Sequence, residues 1–206
     1  MNPKYKKIFS FKFWIFNFNT YVDLIKADEK FNVSFRGNGF HSLKDCKKYY
    51  PLETKSLILY RKYQANFGNV WGYIYKKKLN TFCLKSGIDF AGNPNIGKGL
   101  IIGHWGRIVI NGNAKFGNEI MITHNVTIGR DIRGKRAGTP TFGNKICIRT
   151  NSCIVGNIKI GDDVLIAPNT FVNFDVPSHS IVIGNPAKIH HKDKATLGHL
   201  GVLEDE

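Results

Sequence analysis

The sequence predicts a mainly β protein, a β-helix preceded by a small helical region, and three observations carry that reading. A bulky apolar residue recurs every six positions at Phe142, Ile148, Ile154, Ile160, Ile166 and Val172, and the same step links Ile110, Phe116, Ile122 and Ile128, and Ile96 with Ile102. Small residues follow many of these positions: Gly97, Gly103, Gly117, Gly129, Gly143, Gly161 and Ala167. Residues 1–85 show no such repeat. A step of six fits neither the helical period nor the alternation of a simple strand. It fits a solenoid in which each unit is one short strand and a turn, and three units close a coil of about eighteen residues. Phe142 then stacks on Ile160, Ile148 on Ile166, and Ile154 on Val172. Each coil buries its apolar column only against its neighbours.

Taken in order, residues 1–85 form a basic, mainly helical cap. Segments such as LETKSLILYRKYQANFGN mix apolar and polar residues at helical spacing. Its start combines aromatics with lysines, but the uncharged run from Phe13 to Val22 holds Asn17, Asn19 and Thr20. That run is too short and too polar to span a bilayer. Residues 86–189 form the β-helix, and its two breaks are informative. Ile102 to Ile110 is eight residues, so two extra residues enter beside His104 and Trp105. Ile128 to Phe142 is fourteen, and the excess falls in the polar, basic segment RDIRGKRAGTPT, which leaves the coil as a loop. Residues 190–206 form a polar tail.

Charge narrows the partners. The net charge is +15, and residues 1–85 carry 17 Lys/Arg against 5 Asp/Glu, a surplus of 12, while residues 86–206 carry 13 against 10. A basic N-terminal part suits an anionic neighbour: a phosphorylated ligand, an acidic polymer or a membrane surface. No helix-turn-helix, zinc or RNA-binding motif supports nucleic acid. Cys46, Cys83, Cys147 and Cys153 form no C-x-x-C pair, so no metal site is expected and free thiols in a reducing, cytoplasmic compartment are.

GIDFAGNPNIGKGLIIGHWGRIVI, NVTIGRDIRG, and GNIKIGDDVLIAPNTFV followed by VIGNPAKI resemble the serine acetyltransferase branch of the hexapeptide-repeat acyltransferases over residues 86–189. The resemblance implies a left-handed parallel β-helix, a homotrimer with active sites between subunits, and acetyl-CoA as cosubstrate. It also implies a catalytic pair, because Asp89 and His104 stand at the family's spacing of fifteen. The chemistry agrees. Acetyl transfer to an alcohol needs a base for the hydroxyl proton, a role suited to a neutral imidazole. A carboxylate on the other ring nitrogen fixes the tautomer. His124, Trp105 and Thr139 are expected beside the acceptor. For the cofactor, Thr150, Asn151 and Ala167 are expected along the pantetheine arm. Lys188 or Arg130 is expected at a phosphate, and the N–H groups near Gly129 at the oxyanion.

Three departures bear on the acceptor. The family's Gly-Ile-Asp-Ile-His-Pro reads Gly87-Ile88-Asp89-Phe90-Ala91-Gly92, the aspartate before the histidine is Gly103, and Arg-His-Pro reads Gly138-Thr139-Pro140. They lead to the expectation of an O-acetyltransferase acting on a surface or capsular polysaccharide or its precursor, at the inner face of the membrane. Serine O-acetylation is the first alternative, and a non-catalytic trimeric β-helix scaffold is the second.

Overall fold

The protein is described by a computed structural model covering residues 14–201. It is a left-handed parallel β-helix with helices at its N-terminal end. The described helices all precede the coils: α1 (Phe18–Arg36), α2 (Leu43–Tyr49), α3 (Pro51–Ala65) and α4 (Val70–Ser86). Their ends follow local rules. The Ser42 side chain accepts from the Asp45 amide, Asn69 accepts from the Gly72 amide, and Pro51 occupies the first turn of α3. Gly87 ends α4 in the left-handed region at φ 67°, where a side chain would also meet the Arg107 amide at 2.9 Å.

The coils present three faces. The first holds β1 (Ile88–Phe90), β3 (Ile108–Ile110), β6 (Thr127–Gly129), β9 (Cys153–Val155) and β12 (Phe171–Val172). The second holds β4 (Lys115–Phe116), β7 (Thr141–Phe142) and β10 (Lys159–Ile160). The third holds β2 (Leu100–Ile102), β5 (Ile120–Ile122), β8 (Ile146–Ile148), β11 (Val164–Ile166) and β13 (Ser180–Gly184), with β14 (Ala187–His191) antiparallel on its edge. The pairs expected eighteen residues apart are made: Phe142 with Ile160, Ile148 with Ile166, and Ile154 with Val172. Ile102 pairs with Ile122, two residues beyond that step, and Ile122 with Ile148, eight beyond it. The first excess is the turn at His104 and Trp105. The second is the loop after β6. Inside the prism Phe116 and Phe142 stack at 4.6 Å, nearly parallel.

The corners need left-handed backbone, and non-glycine residues supply most of it. Asn125, Asn151 and Asn169 recur along one edge with φ between 57° and 63°. Asparagine tolerates this region better than most residues. Asn151 Nδ2 also donates to Asn169 Oδ1 at 2.6 Å.

A solenoid's first coil has no coil before it, so its edge groups need other partners. Helix α1 provides them from one face, at Asp28, Asn32 and Arg36. Asp28 Oδ1 accepts from the Gly99 and Leu100 amides at 3.0 and 2.9 Å. Asn32 Nδ2 donates to the Leu100 carbonyl at 2.8 Å, and Arg36 Nη2 to the Ile102 carbonyl at 3.1 Å. Arg61 of α3 pairs with Asp28 through Nε–Oδ2 at 2.7 Å and Nη2–Oδ1 at 2.9 Å. It also donates to the carbonyls of Ile96 and Gly97. Tyr60 closes the open end of the core, stacked on Phe90 at 4.2 Å, with its hydroxyl donating to the Pro94 carbonyl.

The outer side of the third face is covered too. Ile101, Met121, Cys147 and Leu165 pack under Phe31 and Phe35 of α1 and under Ala195 and Leu200. This explains why β2, β5, β8 and β11 read as unbroken apolar triplets, LII, IMI, ICI and VLI, buried at every residue. The segment after β14 turns back because Asp163 holds it. Its carboxylate accepts from the Ala195 amide and from the amide and hydroxyl of Thr196, and faces His179 Nδ1 at 3.0 Å. Burial pushes the Asp163 carboxyl up, but Thr196, His179 and Ala195 together hold it below its ordinary value.

Two outcomes follow from this packing. Burial pushes Cys147 up to about 11 and also raises Cys46, so both thiols should stay unmodified by iodoacetamide in the folded protein and react after unfolding, as read by peptide mass mapping. Asp163→Asn tolerates the corner's backbone but loses one anionic acceptor, and should cost about 1–3 kcal/mol in urea unfolding. Because the folded carboxyl is depressed, the wild-type advantage should be full above about pH 4. It should be lost as the pH falls through the lowered folded value.

Candidate active site

The two extra residues between β2 and β3 push the corner outward at His104 and Trp105. The His104 side chain is 63% exposed and Trp105 is 53% exposed. Gly103 precedes them at a tight point, where a Cβ would stand 3.0 Å from Thr123 Cγ2 and 3.2 Å from Met121 Cε. His124 occupies the next corner, and its ring meets that of His104 edge-on, with centroids 5.8 Å apart at 90°. The structure therefore brings together the two histidines that the sequence offered as candidates.

The carboxylate beside them is one that sequence reasoning missed. Glu53, in the first turn of α3, places Oε1 3.8 Å from His104 Nδ1 and accepts the Trp105 amide at 3.1 Å. Its side chain is 2% exposed, and Oε2 is buried without a hydrogen-bond partner. Arg36, at the end of α1, is its charged neighbour. Burial pushes that guanidinium down, while Glu53 is among the negative groups that oppose the shift. The guanidinium also lies over the Tyr50 ring at 4.6 Å. A signal for Glu53 does exist in the sequence. It shares a helical face with Leu57, Tyr60 and Arg61, so an acidic residue sits on the buried side of α3.

Asp89, expected to orient His104, lies half-buried at the centre of β1 and makes no hydrogen bond or ion pair with His104 among the described residues. Its charge acts instead on Lys76 of α4. Burial pushes Lys76 down, Asp89 opposes that, and Lys76 Nζ donates to the Phe90 carbonyl at 2.6 Å. The physical reason is the local geometry: Asp89 projects from mid-strand, whereas His104 is carried out on the enlarged corner beneath α3.

The residues expected at the cofactor divide between two edges of the prism. Thr150 follows His104 and His124 in register, as the pairing of Ile102, Ile122 and Ile148 dictates, and Ala167 lies in the next coil, one residue before the equivalent Pro168. Thr150 Oγ1 lies 3.3 Å from Thr123 Oγ1, and Asn151 turns the same corner. Lys188 is exposed further along, opposite Ile183 on the terminal hairpin. Thr150 and Ala167 are half-buried and small, which fits a thin chain lying along this edge. Gly129 and Arg130 belong to the other end of the first face, as does Thr139, which was expected beside the acceptor. Gly129 ends β6, Arg130 is exposed, and Asp131 and Gly138 close the loop through two 3.0 Å backbone bonds. Thr139 Oγ1 donates to the Asn113 carbonyl.

A hexapeptide-repeat β-helix with an exposed histidine at a coil corner, flanked by a second histidine and a buried carboxylate, defines a class with acid–base capability. The relatives give that class a particular character. Serine acetyltransferase 4 of Arabidopsis thaliana is 41% identical over 121 residues, covering 55% of this chain and 34% of the relative. The serine acetyltransferase of Helicobacter pylori (strain ATCC 700392 / 26695) is 35% identical over 109 residues, covering 53% and 64%. The chain thus spans between about a third and two thirds of these relatives' lengths. Among solved structures, the Neisseria gonorrhoeae serine acetyltransferase in complex with serine matches with a TM-score of 0.70 at 25% identity, covering 84% of this chain and 69% of that one. No family model matches the chain. These similarities correct the sequence-based expectation of a polysaccharide acceptor, since the relatives in sequence and in structure are serine acetyltransferases. Among the described residues, no helix is long and apolar enough to cross a membrane. Residues 1–13 of the aromatic, lysine-rich start lie outside the described residues.

Proposed function

We propose that the protein is an acetyl-CoA-dependent O-acetyltransferase whose acceptor is L-serine. The observation that carries the reading is His104. It is exposed on an enlarged corner with a carboxylate at Nδ1, within a β-helix similar to serine acetyltransferases. With Nδ1 facing an anion, Nε2 is the free base. His104 takes the proton from the serine hydroxyl as the oxygen bonds to the acetyl carbonyl carbon. The carbon–sulfur bond then breaks, and the imidazolium returns its proton to the departing thiolate, giving O-acetylserine and CoA. Bound acetyl-CoA supplies the activated acyl group. The edge from His124 through Thr150, Asn151 and Ala167 to Lys188 would hold its arm and a phosphate.

The division of site residues between two edges supports a homotrimer. His104 stands at one end of the first-face strands and the Arg130–Thr139 loop at the other, so a loop that covers His104 must come from a neighbouring copy. In that arrangement Gly129, Arg130 and Thr139 act on a partner's site, and Trp105 borders it. His124 has a specific observation in favour of a second acid–base or acceptor-binding role, its edge-on contact with His104. Asp89, whose charge acts on Lys76, contributes negative potential beneath the acceptor.

CoA release from acetyl-CoA should depend on L-serine, and His104→Ala should lower it by about 100-fold or more. His124→Asn run alongside should lower the rate less. Serine-independent release, or release unchanged in His104→Ala, would overturn the assignment.

A further inference from the structure

We infer that Glu53, a residue of the helical cap, is the positioning carboxylate of His104. The inference rests on the proposed reaction, and it makes the cap part of the catalytic unit. Burying a carboxylate is costly unless its oxygens are paired, and Glu53 is almost wholly buried with only Oε1 bonded. Holding the Trp105 amide requires one neutral acceptor, which glutamine supplies equally well. What glutamine does not supply is a negative charge 3.8 Å from His104 Nδ1. That charge favours the tautomer with the proton on Nδ1 and stabilises the imidazolium formed during transfer. The separation is longer than a hydrogen bond, and catalytic bonds of this kind often tighten only when substrate is bound.

The surroundings are arranged for this role. Oε1 is fixed by the amide of Trp105, the residue adjacent to His104, so the helix and the corner move together. Arg36 approaches from α1 and attracts the same carboxylate. Its Nη2 is tied to the Ile102 carbonyl, two residues before His104. His124 meets the imidazole ring from the next corner, and Asp89 interacts with Lys76. Among the described residues, Glu53 is therefore the carboxylate placed to act on His104 within one chain.

The test is Glu53→Gln in the full chain, read by steady-state kinetics and by ¹⁵N-histidine NMR, with His104 assigned from a His104→Gln spectrum. The expected result is a kcat lower by about tenfold or more, with KM values for serine and acetyl-CoA within about twofold. In the unmodified protein, neutral His104 should show the Nδ1–H tautomer, a readout that needs neither the variant nor a substrate. An Nε2–H tautomer in the unmodified protein, or a kcat unchanged in Glu53→Gln, would overturn the inference. Absence of serine turnover in the unmodified protein would instead overturn the proposed reaction, while the tautomer still decides the role of Glu53.

Discussion

The buried pair of Asp28 and Arg61 is the contact on which the arrangement of cap and prism depends. Both side chains are fully excluded from solvent. Such charges are tolerated only when their hydrogen-bonding capacity is met, and here it is met by the open end of the β-helix. Asp28 takes the amides of Gly99 and Leu100, while Arg61 takes the carbonyls of Ile96 and Gly97. Two problems thereby resolve each other. The first coil's edge groups lack a preceding coil, and the two charges lack water. Removing one partner leaves the other charge uncompensated, which typically costs about 3–5 kcal/mol. The same two helices then carry Arg36 and Glu53 to the corner at His104, so the docking of the cap and the shape of the site share one cause.

The prism was legible in the sequence because its energetics are one-dimensional. An apolar residue at every sixth position has only one way to meet its equivalent, and Phe142, Ile148 and Ile154 stack as the period requires. The breaks were legible for the same reason, since any departure from the period must leave the column. His104 and the Arg130–Thr139 loop stood out as departures. The cap was legible only as helical. Its decisive residues are polar ones on buried faces, Asp28, Asn32 and Glu53. A hydrophobic pattern assigns such residues to solvent, and their partners lie far away in sequence. The covering of the third face by Phe31, Phe35, Ala195 and Leu200 escaped notice likewise, although the triplets LII, IMI and ICI lacked the alternation of a strand with one wet side. The acceptor was misjudged from Gly103 and Gly138-Thr139-Pro140. Those positions record which family side chains are gone, and they do not report which elements of another region fill the space. Glu53 shows the consequence: the site recruits a carboxylate from the cap where the repeat pattern looked only within the coils.

Seen chemically, the corner separates two tasks. In the proposed reaction the exposed ring of His104 meets substrate, and the buried carboxylate behind it sets which ring nitrogen carries the proton without itself being reachable. A carboxylate held by a helix and a backbone amide reorganises little during proton transfer, which is the economy of preorganised electrostatics. In the proposed trimer, the second histidine and the small residues along the same edge extend the site toward the C-terminal hairpin, and the loop on the other edge is what a neighbouring copy contributes.

Native-state hydrogen exchange on the Asp28→Asn protein tests most directly the claim that one buried pair docks the cap and thereby shapes the site. The account predicts that the amides of α3 and the Trp105 amide, which donates to Glu53, lose protection together. The amides of β8 and β11, deep in the prism, should keep theirs. Faster exchange in α3 with an unchanged Trp105 amide, or no change in either, would contradict it.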